Sequence, residues 1–237
     1  MKKGNGVKVA VVYTGTTPEL IELVEEEIRK KLGHGVEILT LKNPDILKQV
    51  KEAGHVTAQA AADLILLYMQ AVKQGADAVL NVCSSVGEVA DSMRQAADYM
   101  GIPIVRMDAD MCREAVETGR RIAVVATLAT TMEPTQRAVR NAAAKTGRQV
   151  ELIPCLVDGA FGSEQEEFRK KMIEKAYEVR ESADVILLAQ GSMAYVERAM
   201  REASGLPVLS SPRFGAAGLR RVLAEKGCFL EESNDSI

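Results

Sequence analysis

Ala76-Asp77-Ala78-Val79-Leu80-Asn81-Val82-Cys83-Ser84-Ser85-Val86-Gly87-Glu88 is the stretch whose reading decides the fold. The short apolar run from Ala78 to Val82 reads as a buried strand that ends at Cys83. Ser85, with Glu88 three residues on, has the spacing of a capping box, so a helix is expected to start with Ser85 as its N-cap. Cys83 then stands at the carboxyl end of a strand, just ahead of a helix N-terminus. Ligands of open α/β sheets gather outside those carboxyl ends. The positive end of a helix also lowers a thiol pKa, so a reactive thiolate is the expectation. The competing reading is a buried cysteine that packs as a small hydrophobe.

Outward from this stretch the chain alternates between strand and helix patterns. Strands are expected at 7–13, 36–41, 103–107, 121–127, 149–154, 185–188 and 207–209. Helices are expected from Pro18 to about Leu32, with Leu20, Val24, Ile28 and Leu32 on one face, and at 55–73, 86–100, 110–117, 131–145, 163–181, 193–203 and 215–226. Asn43-Pro44 reads as a break after the second strand. The polar tail from Glu231 to Ile237 reads as a frayed end.

The pattern restarts halfway. Val9-Ala-Val-Val-Tyr-Thr14 matches Ile122-Ala-Val-Val-Ala-Thr127, Ala76-Asp-Ala-Val-Leu80 matches Ala183-Asp-Val-Ile-Leu187, and Gly101-Ile-Pro-Ile-Val105 matches Gly205-Leu-Pro-Val-Leu209. Each copy reads β-α-β-α-β-α-β-α, which calls for a parallel sheet with helices on both faces. The expected fold is therefore α/β with two similar four-stranded lobes related by a pseudo-twofold axis. Lobe one spans 1–118, joined by the C-terminal helix 215–227; lobe two spans 119–214; 228–237 is a tail.

Composition narrows the function. The 237 residues are 47% apolar, which is enough for a sizeable core, and carry a net charge of -3 with both signs interspersed. There is no basic footprint for nucleic acid or a membrane surface, and with no Trp and 4% aromatic residues a base-stacking platform is not expected. Four scattered cysteines without a CxxC pair suit reduced thiols in the cytoplasm, and with only His34 and His55 available no metal centre is expected. The basic-then-apolar start, Met1 to Val12, reads as a first strand rather than a leader.

If each lobe has strand order 2-1-3-4, its switch point lies between the first and third strands. The loops there are Thr14, Gly15, Thr16 and Thr17 with Cys83, Ser84 and Ser85 in lobe one. In lobe two they are Thr127 to Thr131, with Thr130, and Gln190, Gly191, Ser192 and Met193. Hydroxyls and backbone N–H groups leading into four helices make a cradle for a small carboxylate or phosphate. The alternative is that these residues only cap helices. Asp108, Asp110 and Arg213, each after a fourth strand, read either as caps and surface charges or as substrate contacts.

At these residues the chain resembles the aspartate/glutamate racemase superfamily, which includes hydantoin racemases, maleate isomerases and arylmalonate decarboxylases. Asn81-Val-Cys83-Ser-Ser85 is similar to the first catalytic cysteine motif. Leu188-Ala-Gln190-Gly-Ser192-Met193 falls where the second, usually containing Leu-Gly-Cys, should be. The resemblance implies two cysteines acting on opposite faces of an acidic carbon, no pyridoxal phosphate or metal cofactor, and a homodimer. Here the second cysteine position holds Gln190, which cannot carry a proton near neutral pH but can hydrogen-bond a carboxylate or enolate oxygen. The expected protein is thus a cofactor-independent racemase or isomerase acting on a small carboxylate, with Cys83 as acid, base or nucleophile and Asn81 in its motif. The alternatives are a single-cysteine decarboxylase or lyase and a non-catalytic carboxylate-binding protein.

Overall fold

The structure, a computed structural model, describes residues 6–228; the C-terminal stretch from Glu231 lies outside them. Strands β1 (Lys8–Tyr13), β2 (Glu37–Lys42), β3 (Ala78–Asn81) and β4 (Ile104–Arg106) form one sheet, and β5 (Arg121–Ala126), β6 (Glu151–Leu156), β7 (Val185–Leu188) and β8 (Val208–Leu209) form the other. Both have the order 2-1-3-4, counted within the lobe, and every pairing is parallel. The strands expected from the repeat are all present, and equivalent strands hold equivalent positions.

Ten α-helices cover the sheets among the described residues: α1 (Pro18–Leu32), α2 (Pro44–Ala53), α3 (Ala58–Lys73), α4 (Gly87–Ser92), α5 (Arg94–Met100), α6 (Ala109–Thr118), α7 (Ala129–Thr146), α8 (Gln165–Val179), α9 (Glu197–Ser204) and α10 (Ser211–Glu225). Short 3-10 turns, Ser84–Val86 and Gly191–Val196, precede α4 and α9.

Three details depart from the sequence reading. Asn43-Pro44 ends the second strand as expected, but it also starts a helix outside the expected set: the Asn43 side chain accepts from the Asp45 N–H, and Pro44 takes the first helical position, where its missing N–H costs nothing. The single helix expected at 86–100 is two, divided at Met93. Ser85 is not an N-cap. It lies inside the 3-10 turn, and Glu88, its expected capping partner, instead pairs with Arg137 of α7 at 2.7 Å.

Alternate residues of each central strand face opposite helix layers, as the two-residue period of a strand requires. Val9, Val11 and Tyr13 pack with α1 and α10, whereas Ala10 and Val12 pack with α2 and α3. In the second sheet Ala123 and Val125 meet α8 and α9. Ile122, Val124 and Ala126 meet α7 and α6 through Met111, Cys112, Ala115 and Val116.

Each lobe therefore covers part of the other's sheet. α6 follows β4 of the first sheet and packs on the second; α10 follows β8 of the second and packs on the first through Ala216, Leu219 and Leu223. The crossover point is tight. Met107, 1% exposed, lies where a Cβ on Gly215 would come 2.5 Å from its Cγ and 3.1 Å from its Cα. Because that contact includes backbone, it cannot relax by a rotamer change alone. Gly215→Ala is expected to destabilise the protein by about 1–3 kcal/mol, the usual range for an over-packed core, measured as a lower urea midpoint with an unchanged slope.

Candidate active site at the lobe junction

The carboxyl ends of β1, β3, β5 and β7 bring Thr14, Cys83, Thr127 and Gln190 to the lobe junction, two from each lobe at equivalent places. The two sides touch: Ser85 Oγ lies 3.4 Å from Thr130 Oγ1. The Arg137–Glu88 ion pair also joins the lobes. A third interlobe contact comes from α2 and the 157–164 loop, both of which follow strand carboxyl ends. There the Lys51 ammonium sits 4.6 Å from the centre of the Phe161 ring.

The Cys83 turn is held from its inner side. Tyr68 of α3, fully buried, donates its hydroxyl to Asn81 Oδ1 at 3.0 Å, and Asn81 Nδ2 donates to the Cys83 carbonyl at 3.0 Å. Asn81, expected to touch a substrate, thus has both ends of its amide engaged in shaping the loop. The Cys83 thiol is half-buried. The Thr14 and Ser85 hydroxyls and the Ser85 and Val86 N–H groups favour its thiolate, but burial outweighs them and pushes its pKa up. The expectation of a depressed thiol pKa is corrected on this point: the turn supplies the donors that lower it, and desolvation exceeds them. Cys112 and Cys155 are buried thiols that burial also pushes up.

On the opposite side the same Thr-plus-partner arrangement recurs with an amide in place of the thiol. Gln190, 8% exposed, accepts from the Thr127 N–H at 2.8 Å through Oε1 and donates through Nε2 to Thr127 Oγ1 at 2.8 Å. A primary amide carries two N–H donors, so one hydrogen on Nε2 stays available to a ligand oxygen.

The remaining expected residues divide. The Thr14 hydroxyl faces the Cys83 sulfur, while the Ser84 hydroxyl is buried without a hydrogen-bond partner, as is the hydroxyl of Ser211, which abuts Gly191. Thr131 donates to the Leu128 carbonyl at 2.7 Å within the first turn of α7. Gly15 packs under Leu47 of α2. Thr16 donates to the Thr17 carbonyl, and Thr17 caps α1 by accepting from the Leu20 N–H. Ser192 is exposed, whereas Met193 is fully buried in the second lobe's core with Phe168 and Met200.

Sequence reasoning missed one cluster altogether, the buried Arg106 with Asp108 and Asp91. Asp108 sits at the N-cap position of α6, but its side chain makes no cap bond and pairs with Arg106 instead. Arg213 is likewise occupied, by Glu197 at 2.7 Å, whose other oxygen accepts from Ser210. Asp110 pairs with Arg221 of α10. The pairing of Arg106 with Asp108, two residues apart, leaves no periodic signal in the sequence.

Among the described residues no group of His, Cys, Asp and Glu is arranged to hold a metal ion, and no helix is long and apolar enough to cross a membrane. A surface hollow of about 800 Å³ lies against α1, lined by Pro18, Ile21, Glu25, Arg29 and Lys42, and shares no residue with the cysteine cluster.

A family model for Asp/Glu/hydantoin racemases matches residues 9–218. The chain belongs to that family. No curated protein matches it. Among solved structures, an allantoin racemase from Klebsiella pneumoniae is 17% identical with a TM-score of 0.66, the match covering 98% of this chain and 97% of that one. A glutamate racemase from Bacillus anthracis is 16% identical with a TM-score of 0.71, covering 96% and 85%. An arylmalonate decarboxylase is 15% identical with a TM-score of 0.52, covering 91% and 92%. At such identities the likeness is one of fold.

Two outcomes follow from this geometry. Because burial raises the Cys83 pKa, the thiolate fraction at pH 7 is below that of a free cysteine. Iodoacetamide labelling should be slow there and accelerate as pH rises above the ordinary thiol range, with Thr14→Val slowing it further at each pH; peptide mass spectrometry reads both. Gln190→Ala leaves the buried Thr127 N–H unpaired, which costs about 1–3 kcal/mol, seen as a lower thermal midpoint.

Proposed function

We propose that this protein is a cofactor-independent enzyme that moves a proton at one face of an acidic carbon in a small carboxylate, with Cys83 as its single thiol acid–base. The observation that carries this reading is the asymmetry of the two matched sites. Thr14 stands beside a thiol, and Thr127 is bonded to an amide that cannot titrate. A racemase that works through two proton carriers needs one on each face of the carbon. Here Cys83 serves one face, and the free Nε2 hydrogen of Gln190 binds a carboxylate or enolate oxygen on the other. The Ser84 hydroxyl, buried without a partner, supplies a further hydrogen bond to that ligand.

A second reading has its own support. A thiol with a raised pKa rests protonated at neutral pH, which suits a proton donor better than a base. In a decarboxylation the C–C bond to one carboxylate breaks, CO2 leaves, and the electron pair is held as an enolate. The enolate then takes the Cys83 proton, and solvent reprotonates the thiolate. Racemisation and decarboxylation share that carbanion, so one site geometry serves either.

Incubation of candidate carboxylic acids in deuterium oxide, followed by chiral analysis, tests the proposal. Deuterium should enter on a single face, and Cys83→Ala should abolish the exchange, lowering the rate by at least a hundredfold, the usual contribution of a positioned acid–base group. Rapid appearance of both labelled enantiomers, persisting in Gln190→Ala, overturns the one-face mechanism. Exchange that survives Cys83→Ala removes the thiol from the chemistry.

A further inference from the structure

We propose that Arg106 is a positioning residue for Cys83, a brace that holds the turn carrying the Ser85 and Val86 amides at the sulfur. Arg106 ends β4 and pairs in register with Asn81, two residues before the cysteine. Its guanidinium is fixed at three points: Nε to Asp108 Oδ1 at 2.9 Å, Nη2 to Asp108 Oδ2 at 3.0 Å, and Nη1 to Asp91 Oδ2 at 2.5 Å. The Arg106 and Asp108 side chains are 4% and 3% exposed. Three charge-assisted bonds leave the planar group little freedom to turn.

The first turn of α4 rests on that group. A Cβ on Gly87 would lie 2.6 Å from Arg106 Cζ and 2.6 Å from Nη2, so only glycine lets the helix backbone approach this closely. Gly87 and Asp91 are one helical turn apart and so share a face, and both meet the guanidinium. α4 is thereby held at its start by contact and one turn later by an ion pair. The 3-10 turn Ser84–Val86 runs directly into Gly87. Whatever orients Gly87 also orients the two amides that precede it.

The inner side of the turn is held by Tyr68 and Asn81, so the loop is gripped between α3 and the Arg106 brace. This division explains why the Arg106–Asp108 ion pair is buried beside a site that uses neutral donors. Breaking a buried pair is far more disruptive than its net stabilising value suggests, which makes the network a rigid support.

The inference rests on the reading of Cys83 as the reacting group, but its test reads the sulfur and not turnover. The titratable groups around the thiol are Tyr68 on α3, Asp91 and the Arg137-paired Glu88 on α4, and Arg106 and Asp108 at the end of β4. From lobe two, α7 brings the neutral Thr130 against Ser85 and the charged Arg137 against Glu88.

The experiment measures iodoacetamide labelling of Cys83 against pH in the folded full-length chain, with Cys228 of the same molecule as internal reference. Arg106→Lys keeps the positive charge and loses the planar fork. It should move the Cys83 midpoint upward and cut its rate at pH 8 about tenfold relative to Cys228, the change that one pKa unit makes in thiolate fraction. Asp91→Asn removes only the solvent-facing end of the brace, where the side chain is 54% exposed, and should shift the profile in the same direction by about two- to threefold. It carries the test if Arg106→Lys fails to fold.

Val139→Ala, in the core under α7 of lobe two, lowers stability without touching the brace and should leave the profile where it is. An unchanged Cys83 profile in a folded brace variant, or an equal shift in Val139→Ala, overturns the proposal. The first of these leaves the one-thiol mechanism standing. Failure of every acid to exchange in deuterium oxide ends that mechanism without altering the brace.

Discussion

The exchange of α6 and α10 between the two sheets is the constraint on which the rest of the structure depends. Two β/α lobes joined by one connection would be free to rock apart, since interfaces within a chain behave like transient ones unless they are large and apolar. Here each lobe lends a helix to its partner. Met111, Cys112, Ala115 and Val116 complete the second core, and Ala216, Leu219 and Leu223 complete the first. Separating the lobes would expose both sets at once. The Asp110–Arg221 pair ties the crossing helices to one another. Met107, wedged beneath Gly215 and Gly191, sits where both lobes meet. The site can therefore be assembled from two half-sites without losing register between them.

That assembly keeps the symmetry of the backbone and breaks the symmetry of the chemistry. Thr14 and Thr127 occupy one pair of equivalent positions, and Cys83 and Gln190 the other. In the second half-site the threonine and the amide are joined by two hydrogen bonds, leaving a neutral surface with one amide hydrogen free. In the first the threonine hydroxyl faces the sulfur, and the thiol stays protonated because burial outweighs its donors. One half-site is thus poised to give a proton and the other to hold an oxygen, which is the arrangement for chemistry at a single face of a planar enolate.

Much of this was legible in the letters. The repeat between Val9–Thr14 and Ile122–Thr127 placed two central strands, and from there the shared strand order followed, because parallel β-α-β units allow few alternatives. Cys83 and Gln190 were paired by register alone. Most illegible features share a physical reason: they depend on a partner distant in sequence. Amphipathic periodicity shows that α6 buries a face but not that the second sheet receives it. The split at Met93 has no breaker residue to announce it. Ser85 and Glu88 have capping-box spacing, yet Glu88 finds a stronger partner in Arg137 across the junction. α2 is the instructive exception. Its Asn-Pro-Asp start is a usable helix signal, with cap, first-turn proline and first-turn acid in order, and the same proline that ends the strand opens the helix.

The thiol's environment shows why position alone misleads about reactivity. A cysteine ahead of a helix N-terminus is expected to ionise easily, because N–H dipoles stabilise the anion. Such dipoles are present here, from Ser85 and Val86, together with two hydroxyls. They act on a residue packed against the apolar cluster that includes Tyr68 and Val86, where losing solvation costs the thiolate more than four donors return. The same low-dielectric setting strengthens each of those hydrogen bonds, so their contribution grows once an enolate replaces water in the junction and negative charge moves onto carbon and oxygen. A site built this way holds its proton in the resting state. It yields that proton when a stronger base is bound beside it, which is the behaviour asked of an acid and not of a standing nucleophile.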